Sequence, residues 1–284
     1  MRHIRHINQE ETMNNKVLSR IFQKNKILPL AAFLVMTVIL QGTDAQARFR
    51  PKEYDLTLVT QFENCAKYDP QQGLCQGGNW AIAFSTAFYY NTCLQSFDFI
   101  PAFSSGDLLK CATTSFDKCA NIPQDLSIVN TLKNYMMNTG SVTSTCVAYK
   151  QTLSPTLNAV CPSTCDDGST KVGTPLTDFW ELPLITDVQD QIVDYGAVVM
   201  AIRDVQSLNE YKGVSSGIYN ITANEQTFGI RFLVIVGWST LESGEVIWKV
   251  LNTTGEQTGK TDRISISSQN ANILKYYGMY VALF

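Results

Sequence analysis

Histidine is almost missing from this sequence. The 284 residues include two, His3 and His6, both at the N-terminal end, so any chemistry that needs an imidazole is absent from the rest of the chain. No cysteine follows Cys165, and no Cys-x-x-Cys pair occurs, so a zinc site has neither the spacing nor the histidine to complete it, and no metal or cofactor is expected. Basic runs are also lacking. Formal charge is −3 overall, and the first 47 residues carry +3 (six Lys/Arg against three Asp/Glu), leaving −6 on residues 48–284. An acidic body offers phosphate backbones nothing to neutralise, which argues against nucleic acid as a partner. No internal repeat or low-complexity tract is found. What is present is apolar and aromatic: 45% hydrophobic residues, with 14 Phe, 12 Tyr and 4 Trp. That composition excludes disorder and suits one large domain or two lobes with a substantial core.

The apolar run at residues 27–40 falls short of the about 20 residues that span a bilayer. Lys16, Arg20, Lys24 and Lys26 precede it and Ala45-Gln46-Ala47 follows, the pattern of a signal peptide cut after Ala47. Residues 1–47 are therefore expected to direct the chain into the secretory route, with a retained signal anchor as the alternative and the only way a membrane enters. All eight cysteines (65, 75, 93, 111, 119, 146, 161 and 165) lie beyond that point. An even number in a secreted chain predicts four disulfides in the front half, although spacing alone leaves the pairing open.

Residues 48–78 carry turn chemistry. Trp80 to Tyr90 is apolar almost all round, which predicts a buried central helix. Ser104-Ser105-Gly106-Asp107 before Leu108-Leu109 is expected to open a short helix with a capping residue, and Leu126, Val129, Leu132 and Met136 are the apolar positions of a helix expected from Gln124 to Asn138. Thr186-Asp187-Val188-Gln189 is expected to open a further helix that stops at Gly196. Four β-branched and aromatic runs follow, at 197–202, 231–238, 245–251 and 276–283, and are predicted strands. A helical, disulfide-rich front and a mainly antiparallel back predict an α+β protein of two lobes.

Gln72-Gly73-Leu74-Cys75-Gln76-Gly77-Gly78-Asn79-Trp80-Ala81 resembles the segment around the nucleophile of papain-like cysteine proteases. Arg231 to Trp238 resembles the strand that carries their general base, and Trp248 to Gly255 the segment with their orienting asparagine. Tyr195-Gly196-Ala197-Val198 and Tyr211 to Tyr219 also fit, so the likeness covers about residues 60–284, with cathepsin B as the nearest branch. The resemblance implies a papain-like domain over 48–284, with a helical lobe at about 66–180, a β lobe at about 181–284 and a cleft between them. It also implies the pairings Cys65–Cys93, Cys75–Cys119, Cys111–Cys161 and Cys146–Cys165, which leave no free thiol.

The positions that matter for catalysis depart from the family. Asn79 stands where the nucleophilic cysteine is expected and Arg231 where the base is expected. Gln72, the oxyanion donor, and Asn252, the orienting residue, keep the family's identity, but the Cys75–Trp80 loop is one residue longer and Thr254 replaces a shielding tryptophan. An amide is not a nucleophile, and arginine stays protonated and cannot accept a proton. The inhibitory propeptide of such proteases also has little room here, between residues 48 and about 60. The expectation is a catalytically inactive papain-like protein of the secreted or lysosomal route that binds a peptide or protein, an active relative among the candidates, in the inherited cleft. The alternatives are an active cysteine endopeptidase and a structural or storage component of granules or matrix.

Asn79, behind Gly77-Gly78 at a helix start, with Arg231 facing it, could form an anion pocket; the competing expectation is a structural ion pair for Arg231. Asp166-Asp167-Gly168-Ser169 is read as a turn rather than a metal loop. Asn220 heads a glycosylation sequon in an expected turn; a second sequon at Asn252 falls in the cleft.

Overall fold

The computed structural model describes residues 50–60, 62, 65, 75–96, 100–112, 122–149, 160–211, 217–219, 225–253 and 263–282. Residues 1–47, expected to be a signal peptide, and Gln72, Cys119, Asn220 and Thr254 lie outside the described residues. Residues 50–284 form one compact unit, an α+β body of two lobes.

The helical lobe is built on α1 (Asn79–Gln95), whose residues from Asn79 to Cys93 are all buried. The near-uniform apolarity of Trp80 to Tyr90 has this cause: the helix is packed on every side. Phe84 reaches the other lobe, with its ring 5.7 Å from Phe232, 5.8 Å from Phe179 and 6.0 Å from Tyr277. Helix α2 (Ser105–Cys111) starts as expected, with the Ser104 hydroxyl accepting the Asp107 N–H at 2.9 Å. Helix α3 (Ser127–Asn138) begins three residues later than the periodicity suggested, because Asp125 accepts the Ser127 N–H and holds the preceding turn. Disulfides join Cys65 to Cys93, Cys111 to Cys161 and Cys146 to Cys165. Cys75 is also disulfide-bonded.

The second lobe is one eight-stranded sheet: β1 (Glu53–Asp55), β2 (Asp178–Glu181), β3 (Val198–Val205), β4 (Ile218–Tyr219), β5 (Thr227–Thr240), β6 (Val246–Leu251), β7 (Arg263–Ser267) and β8 (Ile273–Tyr280). The order is β2-β8-β3-β5-β6-β7-β4, antiparallel except for β4 on β7, and β1 pairs with β5. Helix α4 (Ile185–Asp194) starts earlier than expected: the chain turns in at Leu184, whose N–H is accepted by the Asp187 carboxylate, rather than at Thr186. Helix α5 (Gln206–Glu210) follows β3 directly.

Strand β1 lies within a stretch read as loop. It docks where Gly237 leaves the surface of β5 open: a Cβ at 237 would lie 2.2 Å from the Tyr54 carbonyl oxygen. Tyr54 stacks on Trp238, ring centroids 5.1 Å apart, and Asp55 takes Arg263 at 2.9 Å. One core, centred on α1, runs from the helices to one face of the sheet; a second, around Trp238, Trp248 and α4, fills the other face.

Candidate functional site

Asn79 is the first residue of α1 and enters directly from a short turn at Gln76–Gly78. Gly78 is required there, since a Cβ would lie 2.7 Å from Cys75 Sγ, with Leu109 Cδ1 at 3.3 Å on α2. The disulfide-bonded Cys75 therefore sits directly under the residue before Asn79.

The Asn79 side chain is 5% exposed and hydrogen-bonded through both of its polar atoms across the lobe boundary. Its Oδ1 accepts the backbone N–H of Phe232 at 2.6 Å, and its Nδ2 donates to the Thr253 hydroxyl at 2.7 Å. The same hydroxyl donates to the Phe232 carbonyl at 3.0 Å, so the side-chain amide, the hydroxyl and the main chain of Phe232 form a closed ring. The cause lies in sheet register. Strands β5 and β6 pair from Val234–Leu251 onward, so beyond that point the edge of β5 has no strand to satisfy it. Backbone groups buried away from water require partners. Ile230 N–H finds the Pro123 carbonyl at 2.7 Å, and Phe232 finds Asn79 and Thr253. An asparagine side chain carries the same donor–acceptor pair as a peptide and closes that edge.

Arg231 does not form the anion pocket considered above. Its guanidinium lies 2.8 Å from the Asp204 carboxylate, and the two residues are 8% and 2% exposed. Register again explains it. Ile202 pairs with Arg231 and Asp204 with Gly229, which puts Asp204 diagonally across β3 from Arg231 on the same face. Burial pulls the guanidinium pKa down, opposed by the Asp204 charge and its hydrogen bond. Arginine nevertheless stays protonated, and the ion pair is structural. Tyr219 lies beside this pair, its hydroxyl 2.6 Å from that of Ser207, and burial pushes it up to about 12.

Asn252, immediately after β6, is 9% exposed, and the buried Thr253 follows it into the ring with Asn79. Asn79, the β5 edge beside Arg231, and the Asn252–Thr253 turn thus meet at one place. A glycan on the second sequon would require a more open site than the buried Asn252 has. Two partners were not singled out from sequence: Thr253 and Asp204. Thr253 carried no signal beyond adjacency to Asn252. Asp204 did carry one, as an acid in an otherwise apolar strand next to the strand bearing Arg231.

A family model described as papain family cysteine protease matches residues 51–281. The chain belongs to the papain family. It is 25% identical over 212 residues to "Cathepsin B-like CP1" and 25% identical over 231 residues to "Cathepsin B-like CP2", both of Giardia intestinalis. Those alignments cover 74% and 78% of this chain, and 66% and 70% of the two relatives, so this member is cathepsin B-like over about two thirds of their length. Among solved structures, procathepsin B S9 of Trypanosoma congolense superposes with a TM-score of 0.69 at 20% identity, covering 85% of this chain and 81% of that one. Digestive procathepsin L 3 of Tenebrio molitor gives 0.61 at 16% identity, covering 83% and 72%. Both likenesses establish the two-lobed papain fold. Among the described residues, no group of three His, Cys, Asp or Glu side chains is placed to hold a metal, and no helix is long and apolar enough to cross a membrane.

Proposed function

We propose that this papain-family, cathepsin B-like chain does not cleave peptides and acts by binding a peptide or protein in the cleft inherited from the protease fold, along the secreted or lysosomal route. The observation that carries this reading is the state of Asn79. At the nucleophile position stands an amide with both polar atoms engaged by Phe232 and Thr253. Attack on a carbonyl needs an electron pair on a side chain partnered by a base. Here the side chain is not nucleophilic, and the residue at the base position is a cation held by Asp204. No histidine beyond residue 6 can take its place.

The test uses the purified secreted protein and a diverse peptide library. The expected result is saturable peptide binding without cleavage products, and no labelling by an epoxide or iodoacetamide probe. Turnover that iodoacetamide abolishes would overturn the inactive reading. Absence of any peptide binding would overturn the binding role and favour a structural component.

A further inference from the structure

A cluster on the helical lobe, apart from the Asn79 site, joins a disulfide to a cation. Lys171 Nζ lies 3.1 Å from Cys111 Sγ and 3.5 Å from Cys161 Sγ, the two atoms of one disulfide. Asp107 holds the ammonium in place at 2.6 Å from one carboxylate oxygen, and the Tyr135 hydroxyl donates to the other at 3.0 Å. The lysine side chain is 11% exposed and the Asp107 side chain fully buried. Cys161, by contrast, is exposed, whereas in the other two described bridges Cys65, Cys93 and Cys165 are buried and Cys146 is half-buried.

Thiol–disulfide exchange requires an accessible sulfur to attack and a stabilised thiolate to leave, and a nearby cation lowers the pKa of the leaving thiol. The Cys111–Cys161 bridge has both. Cys111 ends α2, and a helix C-terminus disfavours negative charge, but α2 has only seven residues and the ammonium is in contact with the sulfur. The Asp107 carboxylate, which also accepts the Tyr135 hydroxyl, orients the ammonium toward the sulfurs and offsets part of its charge.

We infer that Cys111–Cys161 is a thiol-exchange site at which a small thiolate of the glutathione class adds to Cys161. The thiolate attacks Cys161 Sγ, a new S–S bond forms there, and the Cys161–Cys111 bond breaks. Its electron pair leaves on Cys111 Sγ, beside Lys171. A second thiolate then attacks the incoming sulfur and releases Cys161, so two thiols are oxidised to one disulfide as the protein bridge is reduced to two cysteines. The product matters for the fold, because this bridge spans 50 residues and α2 packs through Leu109 beneath Gly78, next to Asn79.

The test treats the native protein with graded glutathione, quenches with an alkylating agent and maps each cysteine by mass spectrometry, with near-ultraviolet circular dichroism to confirm that the fold persists. Cys161 should acquire glutathione, and Cys111 the alkyl group, before either cysteine of Cys65–Cys93 or Cys146–Cys165 reacts. Removing both charges together (Lys171→Met with Asp107→Asn) avoids stranding a buried carboxylate and should slow the exchange roughly three- to tenfold. Lys171→Arg, which keeps the cation, should hold the rate near that of the parent. Opening of another bridge first, or an exchange rate unchanged or raised in the folded double variant, would overturn the assignment. If the double variant does not fold, the order of opening in the unmodified protein decides alone.

Discussion

The amide of Asn79 donates to the hydroxyl of Thr253 across the lobe boundary, 2.7 Å apart and away from water. One residue opens the central helix and the other follows the strand that stops short of pairing with Phe232. Their contact fastens helix to sheet at the position that the family resemblance assigns to a nucleophile.

That fastening predicts a stability effect at a position where sequence alone suggested little. Asn79→Ala leaves the Phe232 N–H and the Thr253 oxygen without their partner, a loss of roughly 2–4 kcal/mol. Thr253→Val leaves the Phe232 carbonyl and the Asn79 amide N–H unpaired and should cost a similar amount, and the two together less than their sum, since they break one ring. Urea unfolding of the three variants measures this. An Asn79→Ala midpoint indistinguishable from the parent would mean that the ring contributes nothing.

Arg231 and Asp204 should behave as a buried pair. Arg231→Met strands the Asp204 carboxylate, with an expected loss of about 3–5 kcal/mol. Adding Asp204→Leu should recover most of it, because two apolar side chains strand no charge. Thermal unfolding of the single and double variants checks the expectation; a double variant no better than the single would contradict it.

Restoring the family's residues should not restore the enzyme. In Asn79→Cys with Arg231→His, the new thiol faces the unsatisfied edge of β5, and the imidazole sits on the strand face that Asp204 occupies. The expected variant is less stable than the parent and cleaves no peptide in a library assay, even where iodoacetamide labels the new thiol. Cleavage at a rate well above background would show that the geometry is retained.

Alkaline pH should unfold the protein through its tyrosines. Burial pushes Tyr219 and Tyr277 up to about 12, with the Glu181 charge adding to the effect at Tyr277, and burial beside Asp107 raises Tyr135 as well. Below pH about 10 these phenols are neutral in both folded and unfolded chains, and the stabilisation is intact. Above it the unfolded chain ionises first and binds fewer protons, so stability falls as pH rises toward about 12. Melting temperature followed across that range, with Tyr219→Phe for comparison, should show a steep alkaline decline in the parent and a shallower one in the variant.

Some elements were open to reading in one dimension and others were not. The Trp80–Tyr90 run announced a helix buried on all sides, and Ser104-Ser105-Gly106-Asp107 announced the capped start of the short helix α2, because both signals are local. The start of α4 was displaced because Asp187 reaches back to Leu184, a choice between neighbouring turns that two hydroxyl or carboxyl candidates leave open. Strand β1 was not legible at all: three residues have no strand signal of their own, and what makes them a strand is Gly237 and Trp238 on a distant segment.

The same division holds for the site. The list of side chains, by itself, determined that no imidazole beyond residue 6 exists, and the family resemblance proposed an amide and a guanidinium for the two reactive positions; residue type settles nucleophilicity and basicity wherever the chain goes. Only the tertiary structure decided what those two groups do instead. Whether Arg231 meets an anion or Asp204, and whether Asn79 is idle or holds two lobes together, depends on strand register and on where β6 ends, and those are set by pairing between segments far apart in the chain.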